Sequence, residues 1–172
     1  MMLQKPDEIL IIYRGGPQVR HVRMNQSHPA KVTPSWYGDS VGHYEGDTLV
    51  VDTVGVKIGP FAMVDLYGTP HSPALHVVER YRLLDYAGAK EGLERNKKEN
   101  FIGDFRVNPN DTGKHLQLFF TVEDPGVFTT PWSARITYRR PLGSWPEFVC
   151  AESTRDYVGR TIDLPHAYKP DF

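Results

Sequence analysis

The sequence predicts an all-β fold, mainly antiparallel, built as a single eight-stranded meander that closes into a barrel. Short segments in which apolar and polar residues alternate dominate the chain, whereas helical periodicity is scarce. Clusters of Gly, Pro, Asn and Asp separate these segments at short intervals, which is typical of strands joined by turns. Closure into a barrel also removes the exposed edges that such a sheet must otherwise protect.

The predicted strands follow one another with a single interruption. Gly15-Gly16-Pro17 predicts a hairpin between the first two, and Glu45-Gly46-Asp47 predicts another between the third and fourth. Asp124-Pro125-Gly126 ends the sixth strand, and Pro131 precedes the seventh. The predicted strands are Glu8–Arg14, Gln18–Met24, Ser40–Tyr44, Thr48–Val56, Ala74–Leu83, His115–Glu123, Ser133–Arg140 and Pro146–Glu152.

The interruption is the segment 85–113, which is predicted to be a surface insertion that forms one short helix or a lid. Its sequence AGAKEGLERNKKEN is highly charged, and the NPNDTG that follows is a turn cluster. Residues 160–172, with Pro165 and Pro170, are predicted to form an irregular C-terminal tail. A chain of 172 residues without internal repeats suits one domain, 1–172.

Composition excludes several classes of function. The 20 basic and 21 acidic residues leave a net charge of −1, which provides no electrostatic footprint for nucleic acid or an anionic membrane. No apolar run approaches the roughly 20 residues of a membrane helix. The single cysteine, Cys150, excludes an internal disulfide and a cysteine-based zinc site. Because GxGxxG, P-loop and GxSxG motifs are lacking, no cofactor is predicted and serine-hydrolase chemistry is disfavoured.

Strand parity gives the sharpest functional prediction. In the segment Ala74–Leu83, Glu79 shares a face with Val77 and Tyr81, where an ionised carboxylate is costly unless it is paired or hydrogen-bonded. Glu152, in the last predicted strand, raises the same question. Burial tends to raise the pKa of a carboxyl group, which suits general acid or base catalysis. The structural alternative is that an Arg, Tyr or His neutralises each carboxylate, because buried ion pairs also shift pKa values.

Histidines are the candidate partners of these carboxylates. His43, His71 and His76 all fall in the stretch Pro34–Tyr81, and we predict His43 and His76 as catalytic imidazoles beside Glu79. The same stretch could also hold a metal ion, but it contains no H-x-H pair and no H-E-x-x-H motif. We therefore predict no metal ligands and keep a His-ligated metal enzyme as an alternative. Ordinary structural histidines are the third possibility.

Aromatic side chains near the predicted strand ends could line an apolar pocket at a barrel mouth. Two polar residues could orient a ligand there, although the role favoured for Asp52 is to tie down a neighbouring strand or turn. The alternative for the rings is simple core filling. The predicted substrate-binding residues are Trp36, Tyr44, Phe61, Tyr81 and Trp132, with Asp52 and His71 as the polar groups.

The blocks SWYGDSVGHYEGDTLVVDTVG and HSPALHVVERY, followed by EDPGVFTTPW and EFVCAES, resemble a large uncharacterised family of bacterial, mostly exported proteins. Tyr44 replaces the family's usual Trp, the Lys90–Asn110 region is longer, and Ser153-Thr154 replace a common Gly-Asn pair. The resemblance implies a lipocalin-like, or calycin-like, eight-stranded barrel. It also implies an exported or periplasmic protein, although the N-terminal residues MMLQKPDEIL do not predict a signal peptide, so a cytoplasmic location stays open.

These observations lead to three functional hypotheses. The first is a cofactor-independent lyase, isomerase, hydratase or cyclase that binds an apolar or aromatic small molecule and moves protons with a Glu/His pair. The second is a non-catalytic barrel that only binds such a ligand, and the third is the metal-dependent enzyme. No nucleic-acid or membrane partner is predicted, and a homo-oligomer stays possible. Catalysis requires a carboxylate and an imidazole that face one cavity.

Overall fold

Eight strands pair in the order in which they occur along the chain and form one curled, mixed sheet. The computed structural model describes residues 1–13, 19–60, 62–65, 67–98 and 113–138. The elements are β1 Met2–Gln4, β2 Glu8–Ile12, β3 Val19–Met24, β4 Asp39–Glu45, β5 Thr48–Val54, β6 His76–Leu84, α1 Tyr86–Lys98, β7 His115–Glu123 and β8 Trp132–Tyr138. The mostly-β prediction is therefore confirmed for the part of the chain that the structure describes.

Strands β2 to β8 correspond to the first seven predicted strands, with bounds that shift by a few residues. The two-residue turn Gly46-Asp47 joins β4 to β5 as predicted, and Gly46 adopts a left-handed φ of 62° that favours glycine. The short strand β1 was not predicted, because three residues before Lys5-Pro6 show no clear alternation. The predicted Gly15-Gly16-Pro17 hairpin and the predicted strand Pro146–Glu152 lie outside the described residues.

One strand pair departs from the antiparallel prediction. Strands β3 and β4 run parallel, with Val22 opposite Ser40 and Met24 opposite Gly42. A parallel pair needs a crossover of a dozen or more residues, and residues 25–38 supply one. The chain leaves β3 at Asn25, which has a left-handed φ of 55°, and no turn folds it directly back. The meander is thus correct for strand order and wrong for the direction of this pair.

The sheet has a buried inner face, which we define as the face that carries the hydrophobic core. The core cluster consists of Ile9, Ile11, Val22, Met24, Leu49, Val51, Tyr81 and Leu118. The side chains between these positions along each strand lie on the opposite, outer face. Strands β1 and β8 are the ends of the described sheet and do not pair with each other, so closure into a barrel stays a prediction.

The predicted short helix is confirmed as α1. Asp85 precedes it and accepts a hydrogen bond from the Gly88 backbone N–H at 2.8 Å, which caps the N-terminus. Ala89 and Leu93, one turn apart, are buried. Gly92 lies so close to Thr137 that a Cβ at this position would be 2.3 Å from its hydroxyl oxygen, so the helix packs tightly on β8. Within the described residues, the helix is neither long enough nor apolar enough to cross a membrane.

Candidate functional site

An apolar cavity of about 320 Å³ lies on the inner face. Nine of the eleven described residues that line it are apolar, and the two ionisable ones are His71 and Glu79. Small-molecule sites in proteins start at a volume of about 300 Å³ and combine an apolar wall with a few polar groups. The cavity therefore has the size and the chemistry of a small ligand site. None of the described residues of α1 lines it, so the helix is not a lid over this cavity.

Glu79 lies at the centre of a buried polar network, as parity predicted. It is 8% exposed and forms a salt bridge with the guanidinium of Arg20 on β3. The Tyr81 hydroxyl donates a hydrogen bond to the second carboxylate oxygen at 2.8 Å. The structural alternative of neutralisation by Arg and Tyr is thus what the geometry shows. Because Glu79 also lines the cavity, this neutralised carboxylate remains within reach of a ligand.

Arg20 is held by two further partners on the inner face. Its Nε donates to the Ser40 hydroxyl at 2.9 Å, and Nη2 donates to the Thr53 hydroxyl at 2.5 Å. Burial lowers the pKa of Arg20, but the hydrogen bond and the charge of Glu79 raise it by more. Burial raises the pKa of Tyr81, and the neighbouring negative charge of Glu79 adds to that shift. The guanidinium therefore stays charged and the phenol stays protonated at any physiological pH.

His71 is the imidazole that shares the cavity with Glu79. It lies in the connection between β5 and β6 and is 8% exposed. The adjacent Ser72 is anchored to Asp124, which accepts from the Ser72 backbone N–H at 2.6 Å and from its hydroxyl at 2.5 Å. Burial raises the pKa of Asp124, but the hydrogen bonds from Ser72 and Gly126 lower it by more. Asp124, predicted to be only a turn residue, thus fixes the segment that positions His71.

Trp132 supplies part of the apolar wall, as predicted for a substrate-binding residue. Its ring makes edge contacts with Phe120 at 5.7 Å and Phe128 at 6.0 Å between centroids. The indole Nε1 is buried and has no hydrogen-bond partner among the described residues. The cavity therefore meets the carbon surface of Trp132 rather than its N–H group.

The structure does not bring His76 or His43 to Glu79. His76 lies three residues before Glu79 in β6 and therefore on the outer face, where its Nε2 is 3.0 Å from Asp52. His43 is exposed at the end of β4, and its Nε2 is 3.3 Å from Glu45. The predicted pairing of Glu79 with either histidine is corrected for this reason. Asp52, predicted to orient a substrate, also lies on the outer face and not at the cavity.

An outer-face cluster surrounds Asp52. Its Oδ1 is 3.0 Å from His76 Nε2 and also 3.0 Å from His28 Nε2. The other nitrogen of His28 is 2.5 Å from Asp39, which also binds Arg23. Burial lowers the pKa of His28, but its hydrogen bonds to Asp39 and Asp52 raise it by more. His28 has no acidic neighbour in sequence, so only the pairing of strands reveals these partners.

The remaining predicted site residues lie apart from the cavity. Trp36 is 64% exposed and stacks beneath the Lys57 ammonium, which is 4.9 Å from the ring centroid. The exposed Tyr44 donates a hydrogen bond to Gln4 at 2.9 Å. Tyr81 is buried in the core, and its hydroxyl donates a hydrogen bond to Glu79. Phe61 and Glu152 lie outside the described residues. In the part of the chain that the structure describes, no three His, Cys, Asp or Glu side chains are arranged as metal ligands.

Comparison with protein-family models, with curated proteins and with solved structures gives no match for this chain. Its function therefore has to be argued from the cavity and the side chains that line it.

Proposed function

We propose that this protein binds an apolar small molecule in the inner-face cavity. The observation that carries the proposal is the cavity of about 320 Å³, in which apolar side chains surround only two ionisable groups, His71 and Glu79. Transfer of an apolar ligand into such a wall contributes roughly 25 cal/mol per Å² of surface that leaves water. The buried Arg20–Glu79 pair is already neutral overall, so it does not oppose an uncharged ligand.

A pair of neighbouring substitutions tests this proposal. Val77 lines the cavity, whereas Val78, the next residue of β6, lies on the outer face. Val77→Phe fills the cavity and is expected to weaken binding of the neutral fluorophore N-phenylnaphthylamine roughly tenfold or more, a loss of about 1.4 kcal/mol. Val78→Phe serves as the matched control and keeps wild-type affinity. Equal affinity of both variants and the wild type, or no binding to the wild type, would contradict the proposal.

We also propose proton transfer as a second function of the same site. Its support is that an imidazole and a carboxylate, His71 and Glu79, line one cavity. His71 takes the place that the sequence had assigned to His43 and His76. A bound ligand with acidic C–H groups next to a carbonyl would give one of these protons to the His71 imidazole and later take back a solvent-derived deuteron from it. The Glu79 carboxylate would stabilise the imidazolium that forms in between.

Exchange with solvent deuterium tests catalysis without knowledge of the natural reaction. Acetylnaphthalene, incubated with the protein in D₂O and followed by NMR, is expected to exchange its methyl protons faster than it does in buffer alone. His71→Asn abolishes the acceleration, and His43→Asn, on an exposed histidine, leaves it unchanged. Exchange no faster than in buffer would limit the protein to ligand binding.

The lipocalin-like barrel belongs to the same proposal. Its support is the curled eight-stranded sheet in sequential order with a cavity on the inner face, although the parallel β3–β4 pair departs from a pure meander. A closed barrel protects the amide protons of both end strands. Slow hydrogen exchange in β1 and β8 is therefore expected, and rapid exchange in either strand would show an open sheet.

A further inference from the structure

A second cavity, of about 230 Å³, adjoins the first on the inner face. Both cavities are lined by Val56, Val77 and Glu79, so they share a wall. The second cavity has a different chemistry, since Arg20, Tyr13, Tyr37 and Thr53 supply the rest of its described lining. One ligand could therefore lie in the apolar cavity and extend a polar group into this one.

Arg20 brings to this second cavity more hydrogen-bond donors than its partners Ser40, Thr53 and Glu79 engage. A guanidinium carries five N–H groups, and those on Nε and Nη2 are directed to Ser40, Thr53 and Glu79. The two N–H groups of Nη1 remain, and the Tyr13 hydroxyl lines the same cavity beside them. The side chain as a whole is only 10% exposed, and Arg20 lines the second cavity.

Tyr13 supplies a second polar group next to Arg20. Tyr13 and Arg20 line the same cavity. Burial lowers the pKa of Arg20, Glu79 raises it by more, and Tyr13 raises it further, in keeping with a hydroxyl beside the guanidinium. A hydroxyl can rotate to donate toward an acceptor. Arg20 and Tyr13 thus both supply polar groups to the lining of the second cavity.

The charge at this place favours an uncharged oxygen over an anion. The Glu79 carboxylate already balances the Arg20 guanidinium, so a ligand carboxylate would add a second, uncompensated negative charge beside this buried pair. A carbonyl or hydroxyl oxygen accepts hydrogen bonds without that cost.

We propose that the second cavity binds a neutral oxygen, a carbonyl or a hydroxyl, of a ligand whose apolar body fills the first cavity, with Arg20 Nη1 and the Tyr13 hydroxyl as donors. This subsite rests on the proposed function, because it needs the apolar body to be bound next door. The ligand class is then an uncharged apolar ketone, aldehyde, ester or alcohol, and neither a fatty acid nor a pure hydrocarbon.

Three probes of matched size test the subsite: acetylnaphthalene, ethylnaphthalene and naphthoate, each titrated against the full chain. The wild type is expected to bind acetylnaphthalene about tenfold tighter than ethylnaphthalene, as one or two hydrogen bonds to these donors provide. Naphthoate binds more weakly than either. Equal affinity for the acetyl and ethyl probes, or tightest binding of naphthoate, would overturn the neutral-oxygen subsite.

Two variants assign the preference to the named donors. Tyr13→Phe removes only the hydroxyl of a partly exposed side chain and is expected to reduce the acetyl-over-ethyl preference at least about threefold. Tyr44→Phe, the matched control, removes a hydroxyl that lies at neither cavity and leaves the preference intact. The double variant Arg20→Met/Glu79→Met removes both buried charges together and abolishes the preference. An unchanged preference in Tyr13→Phe and in the double variant overturns the assignment.

Failure of the subsite differs from failure of the proposed function. If ethylnaphthalene binds and Val77→Phe abolishes its binding, the apolar cavity stands even when the oxygen preference is missing. If no naphthalene binds, the cavity is not a ligand site and the subsite falls with it.

Discussion

Two charged networks cross the same sheet on opposite faces, and burial gives them different roles. On the inner face, Arg20 and Glu79 are each about nine-tenths buried and meet between β3 and β6. On the outer face, Asp52 links His28 and His76, with side chains that are 23–37% exposed. A buried charge that loses its partner cannot be rescued by water, whereas an exposed one can. The inner network is thus fixed and lines a cavity, and the outer network is expected to respond to pH through His28.

The largest expected effect comes from the loss of one buried charge. Arg20→Met leaves Glu79 unpaired and is expected to lower the free energy of unfolding by about 3–5 kcal/mol, measured by urea denaturation. Arg23→Met, on the outer face of the same strand, removes a partly exposed partner of Asp39 and costs about 1 kcal/mol or less. Similar losses in the two variants would contradict the contrast between the faces.

The double variant Arg20→Met/Glu79→Met separates charge from packing. Replacement of a buried ion pair by apolar side chains of similar volume is often neutral, so most of the stability lost in Arg20→Met should return. No recovery would mean that the hydrogen bonds of Arg20 to Ser40 and Thr53 dominate its contribution.

A smaller effect is expected from the Tyr81 hydroxyl. Tyr81→Phe removes a hydrogen bond to the buried Glu79 carboxylate, and such bonds to charged groups contribute about 1.5–3 kcal/mol. Tyr44→Phe removes an exposed hydroxyl bonded to Gln4 and should change stability by no more than about 0.5 kcal/mol. Chemical denaturation of both variants measures the difference. Equal losses of stability would contradict the claim that the Tyr81 hydroxyl stabilises the buried Glu79 carboxylate.

Asp124 extends the comparison to carboxylates that hold chain segments. Asp124→Asn replaces an acceptor of the two Ser72 donors with an amide, and the expected loss is about 1–3 kcal/mol. Asp52→Asn on the outer face should cost less, because water can reach His28 and His76.

The pKa of Asp124 is lowered in the folded state, so its contribution is present above about pH 4 and is lost as pH falls below that value. If the free energy of unfolding of Asp124→Asn falls as steeply with decreasing pH as that of the wild type, this role of Asp124 is contradicted.

The smallest effect is the pH response of the outer face. The folded pKa of His28 is raised above its usual value of 6.5, so its ion pairs stabilise the protein fully below about pH 6.5 and are lost as pH rises through the folded pKa. The contribution is about 1 kcal/mol or less. Unfolding curves between pH 5 and 9 should show this loss in the wild type and not in His28→Asn. A loss of the same size in both proteins would assign the response to other groups.

The inner face was predictable from sequence to a useful extent, because alternation along a strand fixes which side chains share a face. Parity identified Glu79, and the same rule applied to Gln18–Met24 places Arg20 with Val22 and Met24. Two opposite charges on apolar strand faces are expected to pair, so the sequence already indicated Arg20 as a partner of Glu79, although it was not predicted. Parity also placed His76 and Glu79 on different faces of β6, which already argued against a contact between these two side chains.

The rest required three-dimensional information. His71 lies in the connection between β5 and β6, where side chains do not alternate between the two faces of a sheet as they do along a strand. Its position at the cavity therefore could not be derived from sequence spacing. The partners of His28 come from β4 and β5, and the parallel β3–β4 pair depends on the path of residues 25–38. Strand positions follow from local chemistry, but these contacts follow from tertiary packing.

The position of a bound ligand tests the central claim most directly. In an NMR experiment with the wild-type protein and acetylnaphthalene, intermolecular NOEs are expected from the naphthalene ring to the methyl groups of Val77 and Val122 and to the ring of Trp132. No NOE is expected to Val78, which lies on the outer face of the same sheet. NOEs to Val78 and none to Val77 would place the ligand on the wrong face and contradict the account.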